Sequence, residues 1–282
     1  MSRDAWTDTR TESARGPDGR EGPREHTPLH PARDVRQEVR GRDRTYRLRA
    51  SEWRTLKTVG TFRVVADVDL LRDARDEKVM RNDLRHLVEE GLLERKTGIV
   101  EHHPTRLVVL TREGKTLLDR HRDPAAPDAT QQYHVGLVKP RELAHDVQFY
   151  RAYQTEVARI EADGGHVIRV ALDYELKRDY QTFLNRRDRS PEATVDADRR
   201  TFAEARHLPI IDGHLELPDL RLEYETADGR LETRDLEVVT EHYSRGQLSG
   251  KARAGFAVYR PASGGTTRGG TPLDPHTLDW LR

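Results

Sequence analysis

Basic and amide side chains recur on one side of a helix predicted within residues 76–91, where the chain reads DEKVMRNDLRHLVEEG. Apolar residues take the other side at helical spacing, and they are Met80, Leu84, Leu87 and Val88. The outward set consists of Lys78, Arg81, Asn82 and Arg85. In the major groove of DNA, arginine reads guanine edges and asparagine reads adenine edges. The pattern therefore predicts a DNA-recognition helix, although exposed helices of other proteins also carry basic residues.

The flanking segments predict the elements that hold this helix. A first helix is predicted after Ser51 as N-cap, because apolar residues then recur every three positions. DVDLLRD predicts a short second helix, and LLERKTGIVEHH and TRLVVLT predict two strands around a turn at Pro104. Thr111 is the predicted cap of a closing helix. This order is that of a winged helix-turn-helix, in which Arg106 of the wing would contact phosphate or the adjacent groove.

The second half of the chain predicts a further set of helices and strands. A helix is expected from Pro140 to the Gly164–Gly165 stop, followed by a strand at the start of HVIRVALDYEL. Residues 177–207 are highly charged and favour a helix with a loop. LPDLRLEYET and RLETRDLEVVTEHY alternate around ADG, which predicts a hairpin. SRGQLSGKARAGFAVYR is read as one more helix.

The order of these motifs resembles a known family. A winged helix, a linker, the RELAHD helix, LPD, a strand with an acidic end and a lysine before an aromatic residue are similar to the replication-relaxation family of bacterial mobile elements. The resemblance extends over about residues 50–260. Members of that family are associated with plasmid maintenance and transfer, so the resemblance implies a DNA-binding protein that acts in plasmid replication, transfer or its regulation.

The same motifs also resemble the core of PD-(D/E)XK nucleases. In those enzymes a helix glutamate and two strand acids hold Mg²⁺, a hard cation that prefers carboxylate oxygens. The resemblance implies Mg²⁺ as cofactor, with metal ligands Glu142, Asp219 and Glu237, and catalytic residues Asp219, Glu237 and Lys251. The chain departs from the pattern because the lysine position after the second acid is Val239. Lys251 in SGKARAG is the only candidate substitute.

His145 and Asp146 stand side by side within the RELAHD motif. They are interpreted as polar residues on the protein surface, because no nucleophile is matched to them. A general base with its orienting carboxylate is the alternative.

The amino-acid composition excludes several classes of protein and of functional site. The 282 residues include no cysteine, which excludes disulfides and thiolate metal sites. No apolar run approaches a membrane span, and no phosphate-binding loop is present. Residues 1–50, 51–122 and 123–282 carry net charges of +3, +2 and −5, which favours a nucleic-acid contact in the front half. These features predict a cytoplasmic protein that does not contact membranes.

The expected architecture is α+β, with an N-terminal winged helix-turn-helix followed by a restriction-endonuclease-like α/β domain. Residues 1–45 are predicted to be a disordered tail and 46–122 the winged helix. A linker at 123–132, a nuclease-like domain at 133–262 and a flexible tail at 263–282 follow.

Three functions are carried forward from the sequence. The first is a protein that binds double-stranded DNA for a mobile element. The second is a Mg²⁺-dependent DNA endonuclease, and the third is a winged-helix module that binds another protein. Whether the chain forms a homodimer is left open.

Overall fold

The computed structural model describes residues 35–137, 140–186, 194–239, 245–260 and 271–272. Within these ranges the chain is a mixed protein with eight helices and several sheets, which confirms the α+β class that was expected. Most of the tail predicted at 1–45 lies outside the described residues. So does most of the flexible tail predicted at 263–282.

The first half is built on a small three-stranded sheet. Its elements are β1 (Gln37–Arg40), β2 (Thr45–Leu48), α1 (Ala50–Thr61), β3 (Val65–Ala66), α2 (Asp67–Arg72), α3 (Glu77–Glu89), β4 (Leu93–Val100), β5 (His103–Leu110) and α4 (Arg112–Arg120). β5 lies between β3 and β4 and is antiparallel to both. β1 and β2 form a separate antiparallel hairpin.

Two local predictions in this half are wrong. Helix α1 has Arg49 and not Ser51 as its N-cap, because the Glu52 carboxylate accepts a hydrogen bond of 2.8 Å from the Arg49 backbone N–H. The turn between β4 and β5 is formed by Glu101 and His102, both with positive φ, and Pro104 is already in β5. Two-residue hairpin turns require such left-handed residues.

The hairpin of β1 and β2 corrects the predicted extent of the disordered tail. β1 lies within residues 1–45, where a low content of large apolar residues suggested disorder. The strand forms because it pairs with β2, whose Tyr46 and Leu48 are buried. The Tyr46 hydroxyl also donates to Glu113 at 2.8 Å. The composition of residues 1–45 does not reveal β1, because its partner β2 begins only where this segment ends.

The second half contains a five-stranded sheet. Its elements are α5 (Pro140–Ala162), β6 (His166–Leu172), α6 (Asp173–Leu184), α7 (Val195–Arg206), β7 (Ile210–Ile211), β8 (His214–Leu215), β9 (Leu220–Glu225), β10 (Leu231–Val238), α8 (Arg245–Arg253), β11 (Ala257–Arg260) and β12 (Thr271–Pro272). The strand order is β12-β11-β10-β9-β6. The pair β10 and β11 is parallel and connected through α8, whereas the other pairs are antiparallel.

The hairpin predicted around ADG is confirmed as β9 and β10. The helix expected throughout SRGQLSGKARAGFAVYR is only partly right, because Ala257–Arg260 forms β11. Val258 and Tyr259 are buried there, and the parallel pairing with β10 supplies the backbone partners that favour a strand.

Helix α5 of the second half packs against the first half. Leu143 and Val147 join a buried apolar cluster with residues of β3, β4 and β5. The segment 123–132, predicted as a linker, contacts both halves. Lys57 pairs with Asp128 at 2.7 Å, and the side-chain amide of Gln131 exchanges hydrogen bonds of 2.9 and 3.0 Å with the Val170 backbone.

Candidate functional sites

Helix α3 has the two faces that its sequence predicts. Leu84 and Leu87 are buried at 1% and 0% exposure, which confirms them as core residues. Asp76 caps the helix, because its carboxylate accepts hydrogen bonds from the backbone N–H groups of Lys78 and Val79 at 2.8 and 3.1 Å. The helix is therefore fixed at its start and along its apolar side.

The outward face of α3 exposes all four residues predicted to bind DNA: Lys78, Arg81, Asn82 and Arg85. Arg81 forms an ion pair with Glu77 one turn earlier, and its Nε lies 3.0 Å from the carboxylate. Arg85 donates to the Asn82 side-chain oxygen at 3.3 Å. Glu77 therefore competes with any new anionic partner for the Nε and Nη2 donors of Arg81.

Arg106 lies on β5 beside a second arginine that the sequence analysis missed. The Nε atoms of Arg106 and Arg95 are 3.7 and 3.9 Å from the same Asp67 carboxylate oxygen at the start of α2. Asp67 is buried, whereas the Arg106 side chain is 71% exposed. Two guanidinium groups share one carboxylate, which leaves excess positive charge on this face of the hairpin. Arg95 was not predicted because only the strand register, which pairs Arg95 with Val108 and Thr97 with Arg106, places the two arginines on one face of the hairpin.

The tip of the β4–β5 hairpin contacts α5. Gln148 donates to the Glu101 carboxylate at 2.8 Å, and a Cβ added to Gly98 would lie 2.4 Å from Leu143. Glycine at residue 98 therefore allows close packing of the hairpin on α5, and a larger residue would require the side chains of Leu143 and Leu107 to move. The tip is therefore held by the second half of the protein, and Arg95 and Arg106 lie on the other face of the hairpin.

The predicted acids of the second half lie at one end of β9 and β10. Leu220 pairs with Leu236, so Asp219 and Glu237 follow this pair at the same end of the sheet. The Asp219 carboxylate accepts a hydrogen bond of 2.8 Å from the Val238 backbone N–H. Asp219 is 8% and Glu237 1% exposed, so both carboxylates are in a desolvated environment.

Lys251 reaches this end of the sheet from α8. Its Nζ lies 3.3 Å from Glu237 and 3.2 Å from Glu216, and it donates to the Leu217 carbonyl at 2.8 Å. The ammonium group therefore neutralises Glu237 although the lysine position next to it in sequence is Val239. Glu216 is an additional acid that the motifs did not reveal.

His145 is the second cation at this site, and the surface position predicted for it is wrong. Its Nε2 lies 3.2 Å from both Asp219 Oδ2 and the Val238 carbonyl oxygen. Burial alone would lower the pKa of His145, but the neighbouring carboxylates of Asp146 and Asp219 raise it to about 10. Asp146 is buried as well and pairs with Arg63 at 3.4 Å.

No model of a known protein family matches the chain, and no curated protein or solved structure does so either. Among the helices that the structure describes, none combines the length and apolar character needed to cross a bilayer. The two sites are therefore the basis on which a function is inferred.

Two further charged residues approach the acids from α6. Asp173 follows β6 directly, and its backbone N–H donates to the Asp219 carbonyl at 2.9 Å. Lys177 donates to the Asp173 carboxylate at 2.6 Å. Burial alone would lower the pKa of Lys177, but Asp173 and the nearby charges of Asp219 and Glu237 raise it. The sequence signal for this pair is the spacing of an acid and a lysine one helical turn apart, directly after a buried strand.

Mg²⁺ does not fit the acids in this arrangement. Across the described ranges, no three His, Asp or Glu side chains are grouped to hold a metal ion. Asp219 Oδ2 already accepts from His145 and from the backbone, and Glu237 Oε1 faces Lys251. Glu142, the third predicted ligand, is half-buried one turn before His145 on α5. The structure thus brings Asp219, Glu237 and Lys251 to one end of the sheet but does not assemble the predicted metal triad.

Proposed function

We propose that this chain binds double-stranded DNA, and that α3 is the recognition helix of a winged helix. The element order α1-β3-α2-α3-β4-β5 with the sheet order β3-β5-β4 supports this interpretation, because it is the order of that motif. The observation that carries the proposal is the outward set of α3. Lys78, Arg81, Asn82 and Arg85 are all exposed on one helix whose opposite side is buried.

The acidic residues on this helix favour specific over non-specific binding. Glu77 and Glu89 are exposed on α3 and repel phosphate, so charge alone provides little affinity for arbitrary DNA. Arg81 and Arg85 gain most where guanine edges replace their intramolecular partners. A site with matching bases is then the preferred ligand.

The packing of the β4–β5 hairpin against α5 determines from which side DNA would approach. Its tip is held against α5, so the DNA would meet α3 and the hairpin face that carries Arg95 and Arg106. On this basis, the two arginines contact phosphates beside the groove that α3 enters. From the motif resemblance we further propose that the protein acts in plasmid replication, transfer or its regulation in a mobile element.

The test is a salt-dependent binding titration with fluorescent duplexes of mixed sequence and of plasmid origin regions, followed by anisotropy. The double variant Arg81→Ala/Arg85→Ala should lose at least tenfold in affinity for the preferred duplex, because a bidentate base contact contributes about 1–3 kcal/mol. Lys78→Ala should weaken all duplexes similarly and lower the salt slope by about one.

Arg230→Ala is the control for loss of an exposed arginine, since it removes one positive charge from the turn between β9 and β10. Its affinity should equal that of the unmodified chain. Unchanged affinity in a folded Arg81→Ala/Arg85→Ala variant would remove α3 from the DNA contact and favour a protein-binding module.

A DNA endonuclease of the PD-(D/E)XK type is the second candidate. The contact of Lys251 with Glu237 favours it, because α8 supplies the lysine that Val239 cannot. The order β11-β10-β9-β6, with one parallel pair connected through a helix, agrees with a restriction-endonuclease-like core. The position of His145 on Asp219 disfavours it, since cleavage of this type requires a divalent cation at that carboxylate. DNA binding is therefore the leading function.

A further inference from the structure

Two oxygen atoms at the end of the second sheet converge on one nitrogen. Asp219 Oδ2 and the Val238 carbonyl oxygen are each 3.2 Å from His145 Nε2. A carbonyl oxygen only accepts hydrogen bonds, so Nε2 carries a hydrogen and donates toward both oxygens. This donor satisfies a buried carboxylate and the last carbonyl of β10 at the same time.

A carboxylate and a backbone carbonyl are also oxygen ligands that a hard divalent cation prefers. Mg²⁺ binds such oxygens at about 2.0–2.1 Å, closer than the hydrogen-bonded nitrogen, so the ion and the imidazole N–H exclude each other. Glu237 precedes Val238 on the same strand and is held by Lys251. Asp219 Oδ2 and Glu237 Oε1 therefore already have N–H or cationic partners from the protein itself.

The imidazole is held in this position by its surroundings. Its ring packs edge-on against Phe149, with 4.8 Å between ring centroids. Its Nδ1 lies 3.8 Å from the Asp146 carboxylate, which in turn pairs with Arg63 at 3.4 Å. His145 can leave Asp219 only by giving up these contacts, so a rotamer change does not simply open the carboxylate.

We propose that His145 is a positioning residue that holds Asp219 and Val238 in place of a divalent cation and so closes the site to metal. The C-terminal sheet then acts in a DNA-binding protein without metal-dependent cleavage. This inference stands on the geometry around Asp219 and does not require that α3 contacts DNA.

The test measures Mn²⁺ binding by electron paramagnetic resonance and melting temperature with increasing Mg²⁺, using the full chain. The unmodified protein should bind no Mn²⁺ and should melt at the same temperature at each Mg²⁺ concentration. His145→Ala should bind Mn²⁺ and melt at a temperature that rises with Mg²⁺, because a ligand that binds only the folded state stabilises it by mass action. His145→Ala/Asp219→Asn should lose both effects.

His145→Ser serves as a second small variant if His145→Ala does not fold, and circular dichroism checks folding. Mn²⁺ binding by the unmodified chain that disappears in Asp219→Asn would overturn the proposal. Absence of Mn²⁺ binding by a folded His145→Ala or His145→Ser variant would also overturn it. Plasmid nicking by His145→Ala with Mg²⁺, and its absence in the unmodified chain, would support it. These outcomes are independent of the anisotropy titration, so failure of the DNA proposal is distinguishable from failure of this one.

Discussion

Glu77 and Arg81 form an ion pair one turn apart on α3, so Glu77 competes with DNA for the Arg81 guanidinium group. Replacing the acid by Glu77→Gln removes this competition and one negative charge from the proposed interface. We expect about two- to fivefold tighter binding to duplex DNA, since pairs at this spacing contribute about 0.2–0.5 kcal/mol and phosphate repulsion adds to the effect. Anisotropy titrations at low salt measure the change.

Asp228→Asn is the control for this charge change, because it removes a negative charge from the exposed turn between β9 and β10. Its affinity should stay that of the unmodified chain. Weaker binding by Glu77→Gln would indicate that Glu77 orients Arg81 for DNA and does not compete with it.

The direction of a side chain could be predicted from the sequence where regular spacing of apolar residues defines the faces of a helix. The outward side chains of α3 follow from the helical spacing of Leu84 and Leu87. His145 was assigned wrongly because its partner Asp219 is 74 positions away, and only tertiary structure brings the two together. Glu216 was missed for the same reason, since only the fold brings it to its partner Lys251.

Helix α3 is stabilised mainly by burial of its apolar face. Leu87 is fully buried, whereas Val88, the next residue, is only half-buried. Leu87→Ala should therefore lower the free energy of unfolding by about 2–5 kcal/mol, because it leaves a cavity in the core. Urea denaturation followed by circular dichroism measures this change.

Val88→Ala is the matched control on the same helix and should cost less, since Val88 is only partly buried. Equal losses for the two variants would contradict the assignment of the buried face. The dependence of the unfolding free energy on urea concentration should be the same for both variants, so that a difference between their midpoints reports a difference in stability alone.

Elements with a strong local sequence pattern were predicted correctly, whereas short strands that form only by pairing with another strand were not. The hairpin of β9 and β10 was predicted because alternation and a turn sequence lie close together in the chain. β1 and β11 were not, because each is a four-residue strand that forms only when paired, one with β2 and one in parallel with β10. Short strands carry too few residues for their own pattern to exceed that of neighbouring segments.

At the scale of the whole molecule, the two halves share a core. Phe62 at the end of α1 packs against Tyr150 and Tyr153 of α5, with ring centroids 5.4 and 4.8 Å apart. Arg151 of α5 also pairs with Asp69 of α2 at 2.7 Å. Independent domains have few contacts across their boundary. The segments 46–122 and 133–262, which the sequence predicts as two domains, therefore pack against each other.

This shared core leads to a prediction about unfolding. Leu143 lies on α5, yet it packs into the apolar cluster of β3, β4 and β5. Leu143→Ala should lower the melting temperature of both halves equally, because neither half keeps its core when the other unfolds.

Trp53 fluorescence, in a chain with Trp6→Phe and Trp280→Phe, reports the first half, and far-UV circular dichroism reports the whole. The two probes should give coincident transitions that shift together, whereas Leu231→Ala, at a side chain 76% exposed, should shift neither. A Trp53 transition that stays in place while the circular dichroism transition moves would show that the first half unfolds by itself, and DNA binding by that half alone would then become the natural next measurement.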